Sequence, residues 1–175
     1  MNPFAATLPH PFRMAEAEVA PLTTEDARAL SRLHSSAFPL SGGSWGASEF
    51  HKLLLQPNVF GHRVARPGPF GRGKPEPRGF VLLREAGGEA EVLTLAVHPS
   101  WQGRGFGRTL MNAAIRDLYG RRTEALFLEV DEGNAPAIGL YEKLGFETVG
   151  KREAYYAKVG GRATALTMRL DLKGN

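Results

Sequence analysis

The chain has 175 residues, enough for one domain with a sizeable core, and its 42% hydrophobic and 23% charged content excludes wholesale disorder. It has no cysteine, which removes disulfides, thiolate nucleophiles and cysteine-ligated metals together, and no apolar run approaches the roughly 20 residues of a membrane span. A net charge of +4 and a pI near 9.6 fit an anionic ligand or a solvated basic surface; no basic run interleaved with aromatics, of the kind that tracks a phosphate backbone, is present.

Residues 1–15 lack the charged and apolar regions of a signal peptide and read as a loose tail before one domain over 16–171. The cytoplasm is the expected location. Residues 16–21, EAEVAP, read as a short first strand. TTEDARALSRLHSSAF, 23–38, reads as a helix, capped by Thr23 or Thr24, with Ala27, Leu30, Leu33 and His34 at helical spacing. SGGSWG, 41–46, is a turn or loop, 48–55 a short helix and 59–65 a strand. The Pro/Gly-rich segment 66–79, RPGPFGRGKPEPRG, reads as a hairpin loop, because neither flank could fold alone.

Residues 80–84 and 91–97 read as two more strands, and the helix after them places Leu110, Met111, Ala114, Ile115 and Leu118 on one face. ALFLEV, 125–130, has the near-continuous apolar character of a strand covered on both sides. NAPAIGLYEKLGF starts a helix at Asn134, tolerates Pro136 in its first turn and ends with Gly145 at C′. Residues 146–156 and 163–170 read as a final pair of strands. This order predicts an α/β layered domain with a mixed sheet.

Between the strand ending LAVHP and its helix stands QGRGFGR, 102–108, where a plain connector would manage with fewer glycines. A helix N-terminus leaves its first amides unpaired and carries about half a positive charge, so phosphates bind there. Gly103, Gly105 and Gly107 let the backbone approach a ligand with no Cβ in the way, and Arg104 and Arg108 can add charge-assisted hydrogen bonds. As structure alone, the same loop is a glycine-rich turn at a tight joint. The Walker loop fails because Arg108 and Thr109 follow Gly107, and the dinucleotide fingerprint fails because the spacing is G-x-G-x-G.

The pattern Q/R-x-x-G-x-G/A does fit, as Gln102, Gly105 and Gly107, and it resembles the pyrophosphate loop of the GNAT superfamily of N-acetyltransferases, which bind acetyl-CoA. The resemblance implies a mixed sheet of about seven strands flanked by about four helices. It also implies that the backbone of Leu95, Ala96 and Val97 pairs with the pantetheine arm. The phosphates would then meet Gln102, Gly103, Arg104, Gly105, Phe106, Gly107 and Arg108.

A second constellation lies downstream. Glu129 interrupts an apolar strand, where a carboxylate needs compensation, and alternation sets it on the face of Phe127 and Ala125. On pattern alone it is a paired structural carboxylate as readily as a catalytic one, and Tyr141 is more readily a core tyrosine than an acid. Together, LEVDEGNAPAIGLYEKLGF and REAYY resemble the bacterial ribosomal-protein-alanine N-acetyltransferases, over about residues 93 to 170. That branch implies Glu129 as general base, Tyr141 as general acid, Asn134 against the cofactor, and Tyr155 and Tyr156 along the substrate peptide. The implied acceptor is the N-terminal alanine of ribosomal protein S18, acetylated by direct transfer with no metal. An α-amine titrates at about 7.7–8.0 against about 10.4 for lysine, a demand one carboxylate can meet. The loops at 41–46 and 66–79 look longer than the family's usual connections.

Other readings stay open at this point. Acetylation of a small amine, polyamine or antibiotic uses the same chemistry with an enclosed pocket. A non-catalytic acyl-CoA-binding module would need neither Glu129 nor Tyr141. An RNA-binding role rests on pI alone. The histidines at 10, 34, 51, 62 and 98 show no metal-ligand spacing, and Trp45 and Trp101 read as packing, with Trp45 in a loop that could touch substrate.

Overall fold

The computed structural model describes residues 18–39, 45–65, 76–158 and 161–173, with the backbone alone at 153–158 and 161–163. The expected N-terminal tail and most of the expected loops at 41–46 and 66–79 lie outside the described residues. Among these, seven strands and four α-helices follow one another. They are β1 (Glu18–Pro21), α1 (Ala27–Ala37), α2 (Ala47–Leu54), β2 (Val59–Ala65), β3 (Pro77–Ala86), β4 (Glu89–Val97), α3 (Phe106–Arg121), β5 (Ala125–Asp131), α4 (Ala135–Lys143), β6 (Glu147–Lys158) and β7 (Gly161–Asp171). β3 begins inside the segment expected to be loop, at Pro77, and β4 begins two residues before its expected start at 91.

The strands form one sheet in the order β1-β2-β3-β4-β5-β7-β6. Only β4 and β5 run parallel; the other neighbours are antiparallel. Alternation along β3 shows how the sheet is sandwiched. Val81 and Leu83 join Leu110, Met111, Ala114 and Leu118 of α3 in one core, whereas Phe80 and Leu82 join Leu30, Leu33 and Phe50 of α1 and α2 in the other. All four residues expected on the inner face of α1 are buried. A short 3-10 turn, Thr24–Asp26, precedes α1, and Asp26 accepts hydrogen bonds from the backbone N and hydroxyl of Thr23. The same carboxylate meets Arg63 Nε at 3.4 Å, tying the start of α1 to β2.

β4 carries an irregularity that its sequence does not announce. Leu82 faces Thr94 and Leu83 faces Val92, so Leu93 is an extra residue, a β-bulge. The bulge reverses the alternation beyond it. Val92 packs on the α3 side and Leu93 on the α1 side, yet Leu95 is again on the α3 side. The ladder between β4 and β5 ends at the same level, with Glu91 opposite Phe127 as its last pair. Beyond it the two parallel strands part, and the sheet opens into a slot.

Candidate functional site

The slot is bounded on one side by Thr94–Val97 and on the other by Leu128–Asp131. β4 spends its other edge on β3, through Val81↔Leu95, Phe80↔Ala96 and Gly79↔Val97. His98 N donates to Arg78 O, so along this ladder Ala96 turns its amide and carbonyl to β3, Leu95 and Val97 turn theirs to the slot, and the side chains of all three belong to the cores. Gln102 Nε2 donates to Val97 O at 3.1 Å, fastening the end of β4 to the loop that follows. The residue expected among the phosphate contacts thus first shapes the strand.

At the mouth of the slot, α3 begins with no side-chain cap. Its N-cap, Gly105, has φ 83° and Gly103 has φ 71°, left-handed values that other L-residues adopt only at a cost of about 1–2 kcal/mol. A Cβ at either glycine would meet nothing, so conformation selects them. Gly107 differs. A Cβ there would stand 3.1 Å from Leu140 Cδ2, so this glycine lets the first turn of α3 approach α4. Thr109 N is the first amide of the helix bonded back to Gly105 O, and the amides before it point out of the N-terminus. The Phe106 side chain is buried against the Trp101 ring, 5.8 Å between centroids, whereas Arg104 and Arg108 are exposed. Arg104 lies over the Trp101 ring at 4.8 Å and Arg78 at 5.2 Å, so two guanidinium groups converge beside the loop. This uncapped, basic helix start fits a pyrophosphate.

Glu129 sits on the lip of β5, on the face away from Leu126, Leu128 and Val130. Its side chain is 26% exposed and its Oε1 lies 3.3 Å from Arg152 of β6. The compensation the sequence called for is therefore an ion pair with partial hydration. Arg152 reaches Glu129 from two strands away, across β7, where Ala165 stands opposite it and Thr167 stands between Glu129 and Gly150. Tyr141 lies on the other side of the sheet, buried in the α3 core with its ring 5.7 Å from Phe146. Glu129 and Tyr141 thus lie on opposite faces of the sheet. Asn134 is the N-cap of α4, its Oδ1 accepting from Ala137 N at 3.2 Å. The backbone of Tyr155 and Tyr156 belongs to β6, and their side chains lie outside the described residues.

α1 and α2 lie over β2–β4, and next to them the same face of β5, β7 and β6 presents Phe127, Glu129, Arg152 and Arg169 with partial exposure. The edge of α1 and α2 is an aromatic cluster. His34 stacks on Trp45 at 5.5 Å with planes 9° apart, and Phe38 and Phe50 complete its surroundings. Ser31 Oγ donates to Trp45 O, so Trp45 is pinned to α1 as a packing residue. Burial lowers the His34 pKa below its ordinary 6.5, and its Nδ1 has no partner. Two features escaped the sequence reading: the Leu93 bulge, for which no local signal exists, and Arg152, whose two-residue offset from Gly150 becomes informative only once β6 is registered on β7.

Among the described residues no group of three His, Asp or Glu side chains is placed to hold a metal, and no helix is long and apolar enough to cross a membrane. A profile of the Acetyltransferase (GNAT) family matches residues 28–146. The chain is 39% identical over 93 residues, 53% of its length, to the [ribosomal protein bS18]-alanine N-acetyltransferase of Escherichia coli K12, and that match spans 63% of the relative. It is 32% identical over 157 residues to the N-alpha-acetyltransferase RimI of Mycobacterium tuberculosis, covering 87% of this chain and 91% of that one. The crystal structure of the Escherichia coli ribosomal-protein-S18-alanine N-acetyltransferase superposes with a TM-score of 0.80 at 27% identity, over 91% of this chain and 96% of that one. The parted strands, the uncapped glycine-rich helix start and these likenesses agree: the chain belongs to the acetyltransferase (GNAT) family.

Proposed function

We propose that this protein transfers the acetyl group of acetyl-CoA to the α-amine of a protein N-terminus, with the N-terminal alanine of ribosomal protein S18 as its acceptor. The observation that carries the reading is the slot between β4 and β5, with the bare N-terminus of α3 following β4 and Glu129 on β5. A pantetheine arm completes the hydrogen bonding of Leu95 and Val97 as a strand would, while Ala96 stays bonded to β3, and the α3 amides with Arg104 and Arg108 hold the pyrophosphate. The amide nitrogen of Asn134 serves the same ligand while its oxygen caps α4. The likeness to proteins named for the S18 alanine supports the acceptor, as does the partly exposed face beside Glu129, which suits a peptide better than an enclosed small amine.

In this reading, Glu129 takes the proton from the acceptor ammonium through a water. The free amine forms the new C–N bond at the thioester carbonyl, polarised by a β4 amide. The C–S bond breaks as Tyr141 gives its proton to the departing thiolate, and the surplus proton on the new amide nitrogen passes to the Tyr141 oxygen, leaving a neutral amide and restoring the phenol. Transfer is direct, since the chain has no cysteine to carry the acetyl group. Tyr155 and Tyr156 line the peptide. The experiment is release of free CoA with two acceptors: a short peptide with the S18-type alanine N-terminus, and the same peptide blocked there but carrying a free lysine. Turnover on the first alone is expected; turnover on the second, or on neither, rejects the N-terminal assignment.

A further inference from the structure

The β4 bulge decides which side chain stands across the slot from Glu129. The β4–β5 ladder ends with Glu91 opposite Phe127, and Glu129 lies two residues beyond Phe127. On β4 the extra residue, Leu93, takes up one position, so Thr94 comes level with Glu129. Thr94 also shares its face. It lies opposite Leu82, whose side chain packs toward α1 and α2, the side of the sheet on which Glu129 is partly exposed. We propose that Thr94 is a positioning residue for the transfer: its hydroxyl and the Glu129 carboxylate together hold the water through which the acceptor ammonium loses its proton. This role rests on Glu129 being the acceptor-side base.

Among Thr94–Val97, the β4 residues along the slot, Thr94 alone carries a polar side chain. The acids before it, Glu89 and Glu91, belong to the closed ladder, and Glu91 is engaged by Arg84 at 3.3 Å. Thr94 is partly exposed, and its hydroxyl has no hydrogen-bond partner among the described residues. Its backbone pairs with Leu82, which fixes where the side chain starts. Paired strands stand about 4.8 Å apart and room for one more extended chain doubles that, so the two strands here are about 5–10 Å apart. One water between a hydroxyl and a carboxylate spans such a gap, and a water needs at least two polar partners to be held. The water donates to Glu129 and to Thr94 Oγ1 and accepts from the ammonium. As it takes a proton from the nitrogen it gives one of its own to Glu129, and Thr94 keeps its proton throughout. Leu95, the next residue, turns its amide to the slot, so the water is held beside the thioester carbonyl that such an amide polarises.

The test is steady-state release of CoA with the alanine-ended peptide, run on Thr94→Val and Thr94→Ser in the parent and in Glu129→Gln, with acetyl-CoA affinity read by calorimetry. Valine keeps the shape and removes the hydroxyl. Thr94→Val should lower kcat about five- to tenfold, the scale of one hydrogen bond, with the peptide KM and the acetyl-CoA Kd unchanged. Thr94→Ser returns the hydroxyl and should restore kcat. In Glu129→Gln, Thr94→Val should lower kcat no further, because the water then has no base to serve. Full kcat in Thr94→Val, an equal loss in Thr94→Ser, the same further loss in Glu129→Gln, or weakened acetyl-CoA binding would each overturn the role of Thr94 and leave Glu129 as the base. Parental turnover in Glu129→Gln, or a parent inactive on this peptide, would overturn the reading beneath it and this role as well.

Discussion

Single residues here answer to two demands at once. Asn134 caps α4 with its oxygen, Gln102 fastens Val97, and Glu129 is held by Arg152, so each of these three has a structural partner of its own. This is why composition and spacing alone left them ambiguous. Kinetics separate the proposed catalytic roles from the structural ones. Glu129→Gln and Tyr141→Phe should each lower kcat by about 10²–10⁴, the usual contribution of a general acid or base, with acetyl-CoA affinity unchanged. Steady-state kinetics with calorimetric titration of acetyl-CoA check both. A Tyr141→Phe protein with full turnover would return Tyr141 to the core.

His34 makes a residue-scale prediction about pH. Its pKa is lowered by burial, so below about 6.5 the unfolded chain binds a proton that the native chain refuses. Stability contributed by neutral His34 is therefore present above pH 6.5 and is lost as pH falls from there toward the lower native value. Among the described residues its ring neighbours are Phe38, Trp45 and Phe50, none of which can pair with a charged imidazole as a carboxylate would. His34→Phe should flatten the fall in thermal midpoint between about pH 7 and 5.5, which melting curves across that range will show.

At the scale of elements, the helix ends give opposite predictions. α4 stops at Gly145, φ 92°, where a Cβ would also approach Leu170 Cδ1 to 3.3 Å. α3 stops at Arg122, an L-residue in the same left-handed region with φ 61°. Gly145→Ala should cost about 1–2 kcal/mol, and Arg122→Gly should gain up to about 1 kcal/mol, both read by denaturant unfolding. The helices were legible from sequence because capping residues and apolar spacing are local. The strands were legible as elements but their ends were not: Pro77, Glu89 and Ala86 extend strands whose partners, rather than their own propensities, decide where they stop. The bulge at Leu93 is the extreme case. Nothing in EVLTLAV marks it, since the residue that must be skipped depends on β3 lying alongside.

For the whole molecule, the slot means that the sheet holds together across β4 and β5 by three residue pairs and by the shared α3 core. A ligand bound between the strands should bridge the two halves. At a hundred times its Kd, acetyl-CoA should raise stability by about 2.7 kcal/mol, with the amides of Thr94–Val97 and Leu128–Asp131 gaining the largest protection in hydrogen exchange. Protection confined to the α3 N-terminus would instead mean that only the phosphates are gripped. The glycine-rich loop and the downstream block made this site visible in sequence. The geometry that joins them, two strands parting at a bulge, belongs to pairings many residues apart.

That parting also changes how the protein meets its neighbours. An ordinary open sheet has two borders at which a foreign strand could dock; this one has four. The outer pair is defended in familiar ways. β1 is four residues long and ends in Pro21, and β6 carries Glu147, Lys151 and Arg152 with register breaks beside them. The inner pair, flanked by Leu95, Val97, Leu128 and Val130, has no charges of that kind on the β4 side, and each border faces the other across the slot. The bulge at Leu93 that parts β4 from β5 thereby sets two unpaired strand borders face to face, each screening the other from a docking strand.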